Sequence, residues 1–236
     1  MPIAVVVSPH LDDAVLSCWA VLDAAGERTV VNVFTGMPDP ARERPWDELT
    51  NATDGAHRMQ ERLAEDRAAL ARAGCTPTNL DLRPPASEHS AAHLREVLAA
   101  AVPPGCDLYL PAGIGGHPAH VLVRDVGLEV CGRAGRTFLY ADYPDAVRYG
   151  WPAWVTGAEP DPYLAPEAAW ARDFASARLP GRPEPDVRRL DDDSAARKLE
   201  ALREYRTQFP ALNGGSLGIV EHPAVRGFEV AWWLRG

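Results

Sequence analysis

What most limits the folds open to this chain is the alternation of short apolar runs with stretches of helical periodicity, from the first residues onward. That order marks an α/β fold: a Rossmann-like three-layer arrangement with a mostly parallel sheet between helices. Ile3 to Val7 is apolar at every position, as a strand covered on both faces requires. Asp12 to Ala25 reads as one helix with Ala14, Val15, Cys18, Trp19 and Leu22 on its apolar side, stopped by Gly26. Thr29 to Phe34 is a second strand. A loop rich in proline and charge follows, through Asp39 and Pro45-Trp46-Asp47. A long helix spans His57 to Ala73 and Gly74 closes it; another covers Ser87 to Ala101. Asp107 to Leu110 is a strand leading through the glycine-rich turn Gly113 to Gly116 into a helix from Pro118, and Phe138 to Tyr140 is a further strand. The range 150–186 is proline-rich and contains Trp151, Trp154 and Trp170, too aromatic for a linker. It is expected to be an excursion packed over the domain. Asp193 or Ser194 is expected to cap a last long helix through Gln208, and Gly218 to Leu234 to form a final hairpin. At 236 residues the chain fits one domain, 1–236.

A formal net charge of −9 argues against nucleic acid or an anionic membrane as the main partner. No run approaches the roughly 20 apolar residues of a membrane helix. The N-terminal segment lacks the basic start and cleavage site of a signal peptide, so a cytoplasmic location is expected. Cys18, Cys75, Cys106 and Cys131 are scattered without a CxxC pair, which fits small buried hydrophobes better than disulfides or a thiolate metal site. No GxGxxG follows the first strand, and neither GxxxxGK(S/T) nor GxSxG occurs, which disfavours dinucleotide, P-loop and serine-hydrolase readings.

Two segments carry chemistry. Ser8-Pro9-His10-Leu11-Asp12-Asp13 lies beyond a strand's carboxyl end, where open α/β sheets bind ligands. His10 and Asp13, three apart across a tight turn, can converge on one cation, and an imidazole with a carboxylate suits zinc or a similar divalent ion. Asp12 is then free for proton transfer. The plainer alternative makes Asp12 and Asp13 helix N-terminal acids favoured by the macrodipole. The second segment, Gly115-Gly116-His117-Pro118-Ala119-His120, has two histidines three apart at a helix start, able to place one on the metal and the other toward substrate. Together the clusters point to a metal site; either alone is weak evidence. His57, His89, His93 and His222 lack such settings and read as surface or packing histidines.

These residues resemble the PIG-L/LmbE-like de-N-acetylase family. Pro9-His10-Leu11-Asp12-Asp13 matches a variant of its N-terminal signature, Arg62 to Glu65 its R-x-x-E helix, and His117-x-x-His120 its third motif. Tyr140 to Pro144 and the late helix with Lys198, Tyr205 and Gln208 are similar to it too, so the likeness runs in order over nearly the whole chain. The resemblance implies that His10, Asp13 and His120 bind Zn²⁺, that Asp12 is the general base, and that His117 stabilises the oxyanion. It implies a small-molecule N-acylated substrate, most simply an N-acetylated amino sugar or sugar-containing metabolite. Arg62, Glu65 and Asp47 are the expected substrate-side residues. One departure stands out: Ala119 replaces the acid usual between the two histidines. His117 is then less often protonated and activity is reduced, unless another acid, such as Asp125 or Asp142, supports it; the alternative is a non-catalytic binding paralogue. An acid at 119 is expected to be tolerated sterically, as at other helix starts. A further alternative is an amidase of a thiol-sugar conjugate on the same site.

Overall fold

The computed structural model describes residues 2–39, 45–83, 89–148, 150–160 and 163–235. Ser87, where the third expected helix begins, lies outside them, as do the side chains of Trp46 and His89. Chain order runs β1 (Ala4–Ser8), α1 (Asp13–Ser17), α2 (Trp19–Leu22), β2 (Arg28–Asn32), α3 (Pro45–Leu49), α4 (Gly55–Arg72) and β3 (Pro77–Asn79). It continues with α5 (His89–Ala101), β4 (Asp107–Pro111), α6 (Pro118–Val130), β5 (Arg136–Tyr140), α7 (Ala153–Thr156) and α8 (Pro166–Ala175). Last come β6 (Arg182–Arg189), α9 (Asp192–Leu202), α10 (Phe209–Leu212), α11 (Pro223–Arg226) and β7 (Phe228–Arg235).

Among the described residues seven strands form one sheet in the order β3-β2-β1-β4-β5-β7-β6, with β1 to β5 parallel and β7 and β6 antiparallel. Period-2 geometry splits the core. Val5 and Val7 join Leu94, Leu98, Val123 and Leu139 on one face, while Val6 joins Val15, Trp19, Leu70 and Leu202 on the other. The apolar run at β1 is thus explained: all three valines are fully buried because helices cover both sides of the central strand. The chain fills positions to one side of β1 with β2 and β3, then crosses to the other with β4 and β5. The loops after β1 and β4 therefore part at the switch point and leave a crevice at the strands' carboxyl ends.

Three expectations need correcting. The helix read over 12–25 is two short ones, α1 and α2, because Cys18 leaves helical geometry (φ −131°, ψ 26°) and its N–H bonds back to Ala14 O. The last long helix is capped by Asp191, whose side chain accepts from Ser194 N–H, and it ends at Leu202; Gln208 instead precedes the short α10. No hairpin forms within 218–234. β7 pairs with β6, which sits at the far end of the Trp-rich range. The strand β3, only three residues long, gave no sequence signal.

Candidate metal centre

Ser8 shapes the first loop: its hydroxyl donates to His10 O (2.6 Å) and accepts from Ala14 N–H (3.1 Å), folding 8–14 into a tight turn. His10 N–H donates to Asp13 Oδ2 (2.7 Å), which turns that carboxylate inward. α6 brings the other half. His117 is its N-cap, Pro118 takes the first helical position, and His120 lies one turn on, buried against the sheet.

The result is a compact triangle. His10 Nδ1 lies 3.1 Å from His120 Nε2 and 3.2 Å from Asp13 Oδ2, and the third edge, His120 Nε2 to Asp13 Oδ2, is 3.3 Å. A tetrahedral cation with zinc-like bonds needs its ligand atoms about 3.3–3.4 Å apart. The triangle fits that requirement, and its donor set of two imidazoles and one carboxylate suits a borderline divalent metal. His117 stands beside it: ligand atoms of His10, His117 and His120 all lie within 4.8 Å of one another, and the His117 ring is 5.0 Å from each of the other two. His117 Nδ1 accepts from Ala119 N–H (3.3 Å), so in the neutral ring the proton belongs on Nε2.

The two neighbouring acids behave oppositely. Burial, reinforced by the charge of Asp13, pushes Asp12 up to about 6, against the pull of His10, Arg62 and His120. Burial also raises Asp13, but His120 and His10 outweigh it and hold Asp13 down at about 2. Separated affinities for the proton are what a base beside a permanent anion requires. Burial disfavours the charged form of His120, yet Asp13 and Asp142 raise it to about 9. His117 is lowered, first by burial and then by the two neighbouring histidines.

Five of the eight residues singled out in the sequence thus meet: His10, Asp12, Asp13, His117 and His120. Arg62 and Asp47 form a second group. Arg62 Nη2 bonds Asp47 Oδ1 (3.0 Å) and Thr50 Oγ1 (3.2 Å), and the guanidinium acts electrostatically on Asp12. Glu65 is brought to neither; its oxygens accept from Thr207 N–H (3.0 Å) and Thr207 Oγ (2.8 Å) and so hold the turn after α9. The expected acid for His117 also needs correction. Asp125 pairs with Arg124 Nε (2.8 Å), and Asp142 faces His120. What meets His117 at Nδ1 is the backbone of Ala119, whose side chain lies in the apolar core rather than at a roomy helix start. Asp142 had one sequence signal, an acid directly beyond the carboxyl end of β5, the strand beside β4.

No protein-family model matches the chain, and no curated protein does. Solved structures do match. A deacetylase triple mutant from the teicoplanin biosynthetic pathway superposes with a TM-score of 0.77 at 22% identity, covering 100% of this chain and 98% of that one. Another match is the zinc inhibited form of teicoplanin deacetylase. The antimicrobial reagent A40926 pseudoaglycone deacetylase is 25% identical over 98% of this chain and 96% of its own, with a TM-score of 0.71. N,N'-diacetylchitobiose deacetylase from Pyrococcus horikoshii is 17% identical over 99% and 84%, with a TM-score of 0.57. Over its whole length, this chain has the fold of these deacetylases, as its resemblance to the PIG-L/LmbE-like family leads one to expect.

Proposed function

We propose that this chain is a zinc-dependent N-deacylase, removing an acyl group, most simply acetyl, from the nitrogen of an amino sugar or sugar-containing metabolite. The observation that carries the reading is the triangle of His10, Asp13 and His120 at tetrahedral spacing, with an acid of raised proton affinity, Asp12, beside it. The deacetylase names of the solved structures sharing the fold support the reaction class. Bound zinc supplies a Lewis acid that polarises the acyl carbonyl and lowers the pKa of water toward about 7.

The protein's own groups do the rest. Asp12, as a carboxylate, takes a proton from the attacking water. His117 offers Nε2–H to the oxygen that becomes anionic as the carbonyl turns tetrahedral. The C–N bond then breaks, the proton passes to the leaving amine, and the acyl group departs as a carboxylate. Arg62, held by Asp47 and Thr50, keeps positive charge near Asp12 and the substrate's approach. Glu65 holds the turn after α9 through Thr207. The whole chain, 1–236, acts as one deacylase domain in the cytoplasm.

The test is zinc content with free-amine release across a panel of N-acetyl amino sugars. The parent should hold about one zinc per chain and release amine. His10→Ala and Asp13→Ala should each stay folded but lose both properties. Full zinc retention in either variant overturns the ligand set, and a zinc-loaded parent inert on the whole panel overturns the deacylase assignment.

A further inference from the structure

Asp142 is the most completely enclosed carboxylate near the cluster, with 1% of its surface exposed, and it belongs to neither motif. It follows β5 directly, and both its oxygens are engaged. Oδ1 meets His120 Nδ1 at 2.7 Å, and Oδ2 accepts from Ile114 N–H at 2.9 Å. The first contact sits on the far side of the imidazole from the triangle, since His120 Nε2 faces Asp13 and His10. The second lies in the glycine turn three residues ahead of His117. One buried side chain therefore grips both ends of the segment 114–120.

We infer that Asp142 is a positioning residue that fixes His120 as the Nδ1–H tautomer, with its Nε2 lone pair on the metal, and ties that ligand to the turn presenting His117. The inference rests on the metal site proposed above. The chemistry requires a carboxylate. His120 Nδ1–H and Ile114 N–H are both donors, and only a group with two acceptor oxygens satisfies both. An amide of the same shape offers one oxygen and one NH₂, so Asp142→Asn must set a donor against a donor. An acceptor at Nδ1 also makes the imidazole a stronger ligand, and loss of such partners typically weakens metal binding about 10- to 100-fold.

The experiment compares zinc affinity of the parent and Asp142→Asn by competition with a chromophoric chelator, with circular dichroism to establish folding. A folded Asp142→Asn with zinc affinity lowered about 10- to 100-fold is the expected result. Proton NMR of the zinc-loaded parent is the second measurement, and it does not depend on the variant folding. His120 Nδ1–H should appear as a downfield, slowly exchanging resonance. Equal affinity in the folded variant, or absence of that resonance in the loaded parent, overturns the role of Asp142 while leaving the zinc site standing. A parent that binds no zinc overturns the site itself.

Discussion

Asp12 and Asp13 are adjacent in the chain, yet one is held ready to take a proton and the other is held as an anion. The difference is directional. Asp13 turns toward two imidazoles and a backbone N–H, whereas Asp12 is buried beside a like charge. Asp12→Asn should therefore keep zinc while kcat falls roughly two to four orders of magnitude. The sign of the pH effect follows. As the proposed base, Asp12 must be a carboxylate, so activity should fall as pH drops through a value at or below about 6, a bound cation moving it lower. A pH–rate profile of the parent checks this; an acidic limb well above 6 would remove Asp12 from the role. Ala119 makes the opposite point about space. Its side chain is 6% exposed among apolar residues, so Ala119→Asp buries a carboxylate instead of assisting His117. Urea unfolding should show a loss of roughly 2–4 kcal/mol. Unchanged stability would mean that the new acid finds water.

Among the elements, the break at Cys18 leaves the first amides of α2 in need of acceptors, and β7 supplies them. Glu229 accepts from Trp19 N–H and Ala20 N–H, both at 2.8 Å, and pairs with Lys198 Nζ at 2.7 Å. Lys198 is the chain's only lysine and is fully buried. Its place in α9 thus joins three elements far apart in sequence. Lys198→Met leaves Glu229 buried without its cation and should cost roughly 3–5 kcal/mol in chemical denaturation. Lys198→Met with Glu229→Gln should recover only part of that loss: the buried charge is gone, but the amide oxygen accepts from one α2 N–H while its NH₂ faces the other. A double variant no better than the single one would show that the charge of Glu229 is not what makes the loss of Lys198 expensive.

At the scale of the molecule, the Trp-rich range is fastened to the sheet and to the site. Trp170 Nε1 donates to Ala146 O (2.7 Å), and its ring packs edge-on against Trp151, Trp154 and Trp232. Three residues further along α8, Asp173 accepts from Gly115 N–H (2.9 Å) in the turn ahead of His117. Trp170→Ala should cost roughly 3–5 kcal/mol, measured by urea unfolding, and should lower kcat by loosening that turn. A change in stability without any change in kcat would separate the excursion from the site.

The sequence by itself determined the class of fold, because a buried parallel strand must be apolar throughout and a covering helix must be apolar on one side. It also determined which residues form the candidate centre, since His10, Asp12 and Asp13 share one tight turn and His117 and His120 one turn of helix. Those relations are local and leave a local pattern. What only the tertiary structure decided lies across long separations: the pairing of β6 with β7, the use of Glu229 as a cap for α2, and the grip of Asp142 on His120 and Ile114. Hydrogen bonds of that kind depend on which strand ends lie side by side. That order follows from packing the whole sheet, and no window of sequence contains it.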